Sequence, residues 1–333
     1  MELTLHRRFV SVNVQQMMNQ SPAKTPRPGA VVLAFLIVYI VWGSTYFFIR
    51  NALTGFPPFL LGALRFITAG LLMMIITLRA KEKLFNWPAI KTAVVSGFLI
   101  LFIGNGMVIF MEQYVTSAWV AIIVAAAPIW FVMYDKPHWQ ENFNSRSTLA
   151  GLAIGIVGVV LLFSENLSPS RTGAYAHQGI AFIALVLGSM SWVIGSLYAK
   201  YRQPPATSTL VNTSWQMFFA GLYFLVGCLL RGEYKGFDFA QVPLRAWTSI
   251  GYLILFGSIL AYSCYVWLME VCPPAKVSTY AYVNPVVAVL LGVFLAGEHI
   301  STMQIAGLVV ILLSVLLINL RKYLRKSGQL RVS

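Results

Sequence analysis

The sequence predicts an all-α membrane protein: ten transmembrane helices in two inverted five-helix repeats around a central cavity. Three observations carry that expectation. Of 333 residues, 58% are hydrophobic and only 10% are charged, with a mean hydropathy of +0.75, more apolar surface than a soluble chain of this length can hide. Apolar stretches recur along the chain with short loops between them, most of them long enough for about 30 Å of hydrocarbon. The two halves of the chain can also be laid on one another. In lipid the backbone N–H and C=O groups need partners within their own segment, so each stretch must be helical.

The spans read from hydropathy are 30–50, 58–79, 91–111, 115–134, 148–164, 178–199, 207–230, 246–269, 275–296 and 301–320. Residues 1–29 are polar, with Pro22, Pro26 and Pro28 near their end. They lack the apolar core of a secretory signal and are expected to form a disordered cytoplasmic tail; residues 321–333 form a basic tail at the other end. The net charge of +14 would suit a nucleic-acid binder, but the position of the cations argues against one. Arg7, Arg8, Lys24, Arg27, Arg79, Lys81, Lys83, Lys91, Lys136, Arg146, Lys200, Arg202, Lys276, Arg321, Lys322, Arg325, Lys326 and Arg331 all fall on one side of the expected topology. The other side holds only Arg171, Arg231, Lys235 and Arg245. This bias places both termini in the cytoplasm and suits a bacterial inner (plasma) membrane with anionic lipid as partner. Cys228, Cys264 and Cys272 lack a paired spacing, which argues against a disulfide or metal framework. His6, His138, His177 and His299 all lie outside the spans, so no haem or metal is expected.

The repeat runs over 30–165 and 178–320. Trp42 and Trp192 fall in the middle of spans one and six. AAAP (Ala125 to Pro128) meets YVNP (Tyr282 to Pro285) in spans four and nine, and at the same offset Glu141 falls on Glu298. LAGLAIGIVGVVLL in span five matches IAGLVVILLSVLL in span ten. Five is odd, so the second copy enters the membrane inverted. That build is usual for secondary transporters, whose binding sites lie near the midplane between the halves.

YIVWGSTYFFIR at 39–50, LRFITAG at 64–70, STYAYVNPVVAVLLG at 278–292 and GEHISTMQIAGLVVILLSVLL at 297–317 resemble the EamA branch of the drug/metabolite transporter superfamily. The similarity covers residues 30–320. It implies an exporter-like permease whose central cavity is lined by spans one, three, four, six, eight and nine. It implies little about cargo, since the family handles amino acids, other metabolites and drugs. The chain departs from the pattern at 134–146 (YDKPHWQENFNSR), a more polar link than its counterpart in the second repeat.

No acid lies in the middle of a span, so the sequence offers no buried carboxylate relay of the usual kind. Glu112 and Glu270 end the partner spans three and eight; they are candidates for coupling or plain helix-end charges. Glu298 precedes a Ser301–Gln304 capping box that starts span ten. Arg65 is the one cation inside a span, about seven residues in from the outer end of span two. Its burial is costly, so it should snorkel outward or pair with an acid or a backbone carbonyl; as structure it would anchor span two at the outer interface, and as function it would attract an anionic group such as a substrate carboxylate. In Asn284-Pro285 the proline deletes a helix hydrogen bond while asparagine adds a donor and an acceptor. Pro128 holds the equivalent place in span four. Either proline marks a binding-site helix break or a packing kink. Trp42, Ser44, Thr45 and Tyr46 with Trp192 and Ser196 place aromatic and hydroxyl groups near the pseudo-axis. Asn105, Tyr262, Tyr265, Tyr280 and Tyr282 extend this lining. Spans two, five and ten are almost wholly aliphatic and Gly-rich, fit to face lipid, and Gly151, Gly155 and Gly158 invite a close helix neighbour.

No phosphate loop, HExxH or nucleophile elbow is present, and no soluble domain could house ATP, so an enzyme is not expected. The expected function is secondary transport by alternating access, exporting small metabolites such as amino acids or amphiphilic drugs. A flippase for a lipid-linked headgroup and a non-transporting sensor or assembly partner stay open as alternatives. Oligomeric state is left open.

Overall fold

The computed structural model describes residues 26–115, 117–163, 175–204, 207–296 and 301–329. The chain divides into a short amino-terminal unit ending at Leu33 and a body, Ala34–Ser333, which holds every site discussed below. Nearly all of the expected tail at 1–29, together with Glu298, lies outside the described residues.

All regular structure among the described residues is helical. In chain order the helices are α1 (Pro28–Ala52), α2 (Pro58–Arg79), α3 (Trp87–Met111), α4 (Ser117–Val124), α5 (Ala127–Tyr134), α6 (Trp139–Phe143) and α7 (Arg146–Phe163). They continue with α8 (Tyr175–Arg202), α9 (Thr209–Arg231), α10 (Leu244–Val271), α11 (Pro274–Val277), α12 (Tyr280–Ala296) and α13 (Thr302–Gln329). Boundaries follow local chemistry. Pro58 at the first position of α2 loses no hydrogen bond there. Gly232 ends α9 in the left-handed conformation, φ 70°, which a side chain would resist. At α13 the Ser301 Oγ accepts from the Gln304 N–H at 3.1 Å while Gln304 Oε1 accepts from the Ser301 N–H at 3.0 Å, the reciprocal capping box read from the sequence.

Among the described residues, six helical segments are long and apolar enough to cross a bilayer: Pro28–Ala52, Pro58–Arg79, Trp87–Met111, Gly179–Arg202, Thr209–Arg231 and Leu244–Val271. A seventh arises if Lys136–Phe143 and Arg146–Leu162, bent by 92°, are taken together. Of the remaining expected spans, five and ten are continuous helices, Arg146–Phe163 and Thr302–Gln329, whereas four and nine are broken. Span four is interrupted at Ala125–Ala126, just ahead of Pro128, and span nine at Ser278–Thr279, ahead of Tyr280. Pro285 itself lies inside α12, which runs on through it. The two prolines therefore differ: one follows a break and the other is absorbed. At the carboxyl end α13 continues to Gln329, into the stretch expected to be a tail.

Leu36, Ile40, Ile75, Ile183, Val309 and Leu316 all point outward and are exposed. Such outward-facing apolar side chains suit a hydrocarbon surround. Inside, two seams form by close backbone approach. Along α2 and α9, a Cβ on Gly70 would lie 2.6 Å from the Phe218 nitrogen, and one on Gly221 2.5 Å from the Ile67 nitrogen. Along α7 and α13, Gly158 faces Ile311, and a Cβ on Gly307 would meet the Leu162 nitrogen at 2.6 Å. Small residues are what allow helices to meet this closely.

Both α3 and α10 widen into π-helical stretches, Phe98–Asn105 and Leu253–Tyr262. These fall in the spans the repeat pairs with one another, and nothing in the hydropathy marks them. Such stretches are rare and favour functional positions.

Candidate functional site

Between α1, α2, α3, α8, α10 and α12 lies a half-open cavity, with about 760 Å³ of space free of protein atoms when its open side is included. Helix periodicity decides which side chains reach it. On α1, Trp42, Thr45, Tyr46 and Ile49 line the wall, spaced three and four apart along one face. On α8 the same spacing presents Leu185, Ser189 and Trp192. The π stretches supply Leu101, Gly104 and Asn105 from one side and Gly257, Ser258 and Tyr262 from the other. Tyr280 and Asn284 come from α12, four apart, and Ala127, next to Pro128, comes from the start of α5.

One aromatic cluster closes the wall. The Trp42 ring meets Trp192 edge-on at 5.4 Å, Tyr280 edge-on at 5.0 Å and Tyr265 tilted at 5.0 Å. Edge-on contact aligns the positive ring rim with the negative face of its neighbour. The indole N–H of Trp42 donates to the Gly257 carbonyl at 3.1 Å, and that of Trp192 to the Tyr265 hydroxyl at 3.0 Å. Tyr262 donates to Gln216 Oε1 at 2.9 Å, and Gln216 in turn donates to Ser96 Oγ at 2.8 Å. These bonds fix rings that would otherwise turn.

Several expected residues stand off the cavity. Ser44 is two residues from Trp42 and so on another face; it bonds the Val41 carbonyl and the Tyr252 hydroxyl, each at 2.7 Å. Tyr282, two from both Tyr280 and Asn284, turns away into the cluster of Leu152, Val159 and Ile311, donating to the Leu152 carbonyl at 3.1 Å. Ser196 and Tyr265 sit one layer behind, joined to each other at 2.6 Å, and buttress Trp192 and Trp42. Glu270 is exposed and accepts from Thr209 Oγ1 at 2.7 Å. Its repeat partner Glu112 is 6% exposed, with both carboxylate oxygens buried and without a hydrogen-bond partner. Glu112 does stand at the end of α3, but within the protein rather than on its surface.

For Arg65 the snorkelling alternative is set aside. It neither snorkels nor anchors the outer interface. It is 4% exposed and turns into the cavity, where Nε donates to Ser258 Oγ at 2.9 Å and Nη1 to Asn105 Oδ1 at 3.4 Å. The guanidinium carbon stands 4.7 Å over the Phe66 ring. Span two, expected to face only lipid, therefore contributes Arg65 and Phe66 to the wall.

Ser189 and Ser258 escaped the sequence reading, though both carried a signal. Ser258 precedes Tyr262 by four and Ser189 precedes Trp192 by three, so each shares a face with an aromatic already singled out. Among the described residues no group of three or more His, Cys, Asp or Glu side chains is placed to hold a metal.

Comparison with known proteins follows the same lines. A family model described as the EamA-like transporter family matches residues 29–164 and again 179–320. The uncharacterized inner membrane transporter YedA of Escherichia coli (strain K12) is 36% identical over 294 residues, covering 87% of this chain and 91% of its own. A probable amino-acid metabolite efflux pump of Salmonella typhimurium is 26% identical over 310 residues, covering 88% and 97%. A solved crystal structure superposes with a TM-score of 0.70 at 17% identity, over 89% of this chain and 98% of that one, and so shares the fold. With two matched segments spanning most of its length and apolar helices gathered around one polar-aromatic cavity, the chain belongs to the EamA-like transporter family.

Proposed function

We propose that this protein is a secondary transporter of a bacterial inner membrane that exports small metabolites, amino acids or amphiphilic compounds among them, by alternating access. Its ten crossings form two inverted repeats, 30–165 and 178–320, with both termini in the cytoplasm. The Salmonella relative's description as an amino-acid metabolite efflux pump supports the cargo class.

The observation that carries the reading is the central cavity, walled by the π stretches of both halves together with Trp42, Trp192 and Asn284. A binding space at the seam of two related halves is what rocking of one half against the other would expose to each side in turn. The wall carries the traits of a metabolite site: mostly apolar and aromatic, with a few fixed polar groups.

The test is untargeted mass spectrometry of medium and cell extract from cells overproducing the protein. Controls are an empty vector and a Trp42→Ala/Asn284→Ala double variant at matched membrane level. Compounds enriched outside only with the wild type are the expected outcome. Identical medium in all three would overturn export.

A further inference from the structure

We infer that Arg65 is an anion-binding residue and that the cargo of this cavity is a small organic carboxylate with an apolar body; the inference rests on the transport reading above.

The argument begins with charge. A guanidinium moved from water into a membrane-spanning bundle loses its hydration, and such a group persists where it is paired or serves a function. Among the described residues the only ion pair within 4.0 Å joins His138 to Asp135, so no carboxylate faces Arg65. Its protein partners are neutral oxygens, Ser258 Oγ and Asn105 Oδ1. They hold the side chain by Nε and Nη1, while Nη2 makes no hydrogen bond among the described residues. A Cβ on Gly257 would come within 3.3 Å of that Nη2, so the glycine leaves the free edge of the fork uncovered beside the Trp42 anchor point. The described cavity wall therefore presents one fixed positive charge and no negative one.

Geometry narrows the ligand further. A guanidinium with Nη2 unengaged fits a carboxylate oxygen better than a neutral carbonyl, because the charged pair adds Coulomb attraction to the hydrogen bond. Two residues of the same wall carry unpartnered oxygens. Asn284 Oδ1, on a residue 3% exposed, and Ser189 Oγ are both buried with no hydrogen-bond partner. They suit an N–H or O–H carried on the same molecule. The same wall holds the Trp42 and Trp192 rings, which favour a hydrocarbon or aromatic body. Free amino acids meet this description, and so do hydroxy acids and simple branched acids.

The experiment uses the full-length protein in detergent and four ligands of one shape: leucine, 4-methylpentanoate, its neutral amide and 3-methylbutylamine. None absorbs where tryptophan does, so fluorescence of the wall tryptophans reports binding. The two carboxylates are expected to saturate at concentrations about 10-fold or more below the amide and the amine. Arg65→Gln should weaken both carboxylates about 10- to 100-fold and leave the amide unmoved. Arg65→Lys, which keeps the charge but loses the fork, should fall between. Equal binding of amide and carboxylate, absence of saturation by either carboxylate, or an Arg65→Gln protein that discriminates as the wild type does would each overturn the inference. Should Arg65→Gln fail to run as a single species in gel filtration, the wild-type preference for carboxylate over amide decides alone. The two readings can fail separately. Export of only neutral or cationic metabolites would keep transport and discard the anion site, whereas Arg65-dependent carboxylate binding without any export would do the reverse.

Discussion

Two interior regions of this molecule, the cavity wall and the seam between α7 and α13, start from similar apolar material and end in opposite states. Along the seam, Gly151, Gly158 and Gly307 bring backbone against side chain and backbone so closely that no Cβ fits. Leu162 and Ile311 are fully buried there. Around the cavity, bulky rings hold each other apart through edge-on contacts and leave room in the middle. In lipid there is no water to drive helices together, so association follows fit. Glycine gives contact, and rings braced by hydrogen bonds give a void. The difference teaches that a cavity inside a membrane bundle is braced by specific bonds, here those of Trp42, Trp192 and Tyr262.

The contrast can be broken at either end. Gly307→Val should have the largest effect, because the clash is with the Leu162 backbone, which cannot rotate away. A loss of about 3 kcal/mol is expected, read as a fall in monodisperse protein and in melting temperature; a variant as stable as the wild type would remove the tight seam. Trp42→Phe comes next. It keeps a ring but deletes the N–H that bonds the Gly257 carbonyl, and efflux of wild-type cargo should drop about 10-fold with a stability cost near 1 kcal/mol. Unchanged efflux would mean that the prop is dispensable. Asn284→Ala should lower efflux about threefold, with normal membrane insertion, since the lost acceptor has no protein partner to orphan. A loss of insertion would return Asn284 to a packing role. Tyr282→Phe should do least: efflux unchanged and stability lower by about 1 kcal/mol from the lost bond to Leu152. A transport defect there would put Tyr282 back on the cavity.

Much of this arrangement was legible in the sequence. Low charge and recurring apolar runs were enough for an all-helical chain, and the small residues of the seventh helix foretold its close neighbour. Trp42, Thr45, Tyr46, Asn105, Trp192, Tyr262, Tyr280 and Asn284 were singled out by type and do line the cavity. Ser44 and Tyr282 were misjudged because residue type was weighed without the face it occupies, a matter of about 100° per residue. The inward turn of Arg65 could not be read locally. It depends on Ser258 and Asn105, which stand 193 and 40 residues away in the chain. Hydropathy is equally blind to a break: it averages across Ala125–Ala126 and Ser278–Thr279 and reports one span where the backbone has two helices.

The π stretch at Phe98–Asn105 has a consequence for which changes of length the chain can absorb. An ordinary helix that loses one residue swings everything beyond the deletion through about 100°. A π-helical turn bonds i to i+5, one residue wider than an α-helical turn, and can surrender that residue by closing to the α spacing. Removal of a single residue between Phe98 and Asn105 should therefore leave Met107 through Met111 facing as before, whereas the same deletion in the middle of α9 should scramble every side chain that follows. Cysteine-accessibility mapping beyond each deletion would read the difference, and a swing of equal size in both would show that the wide turn holds no slack.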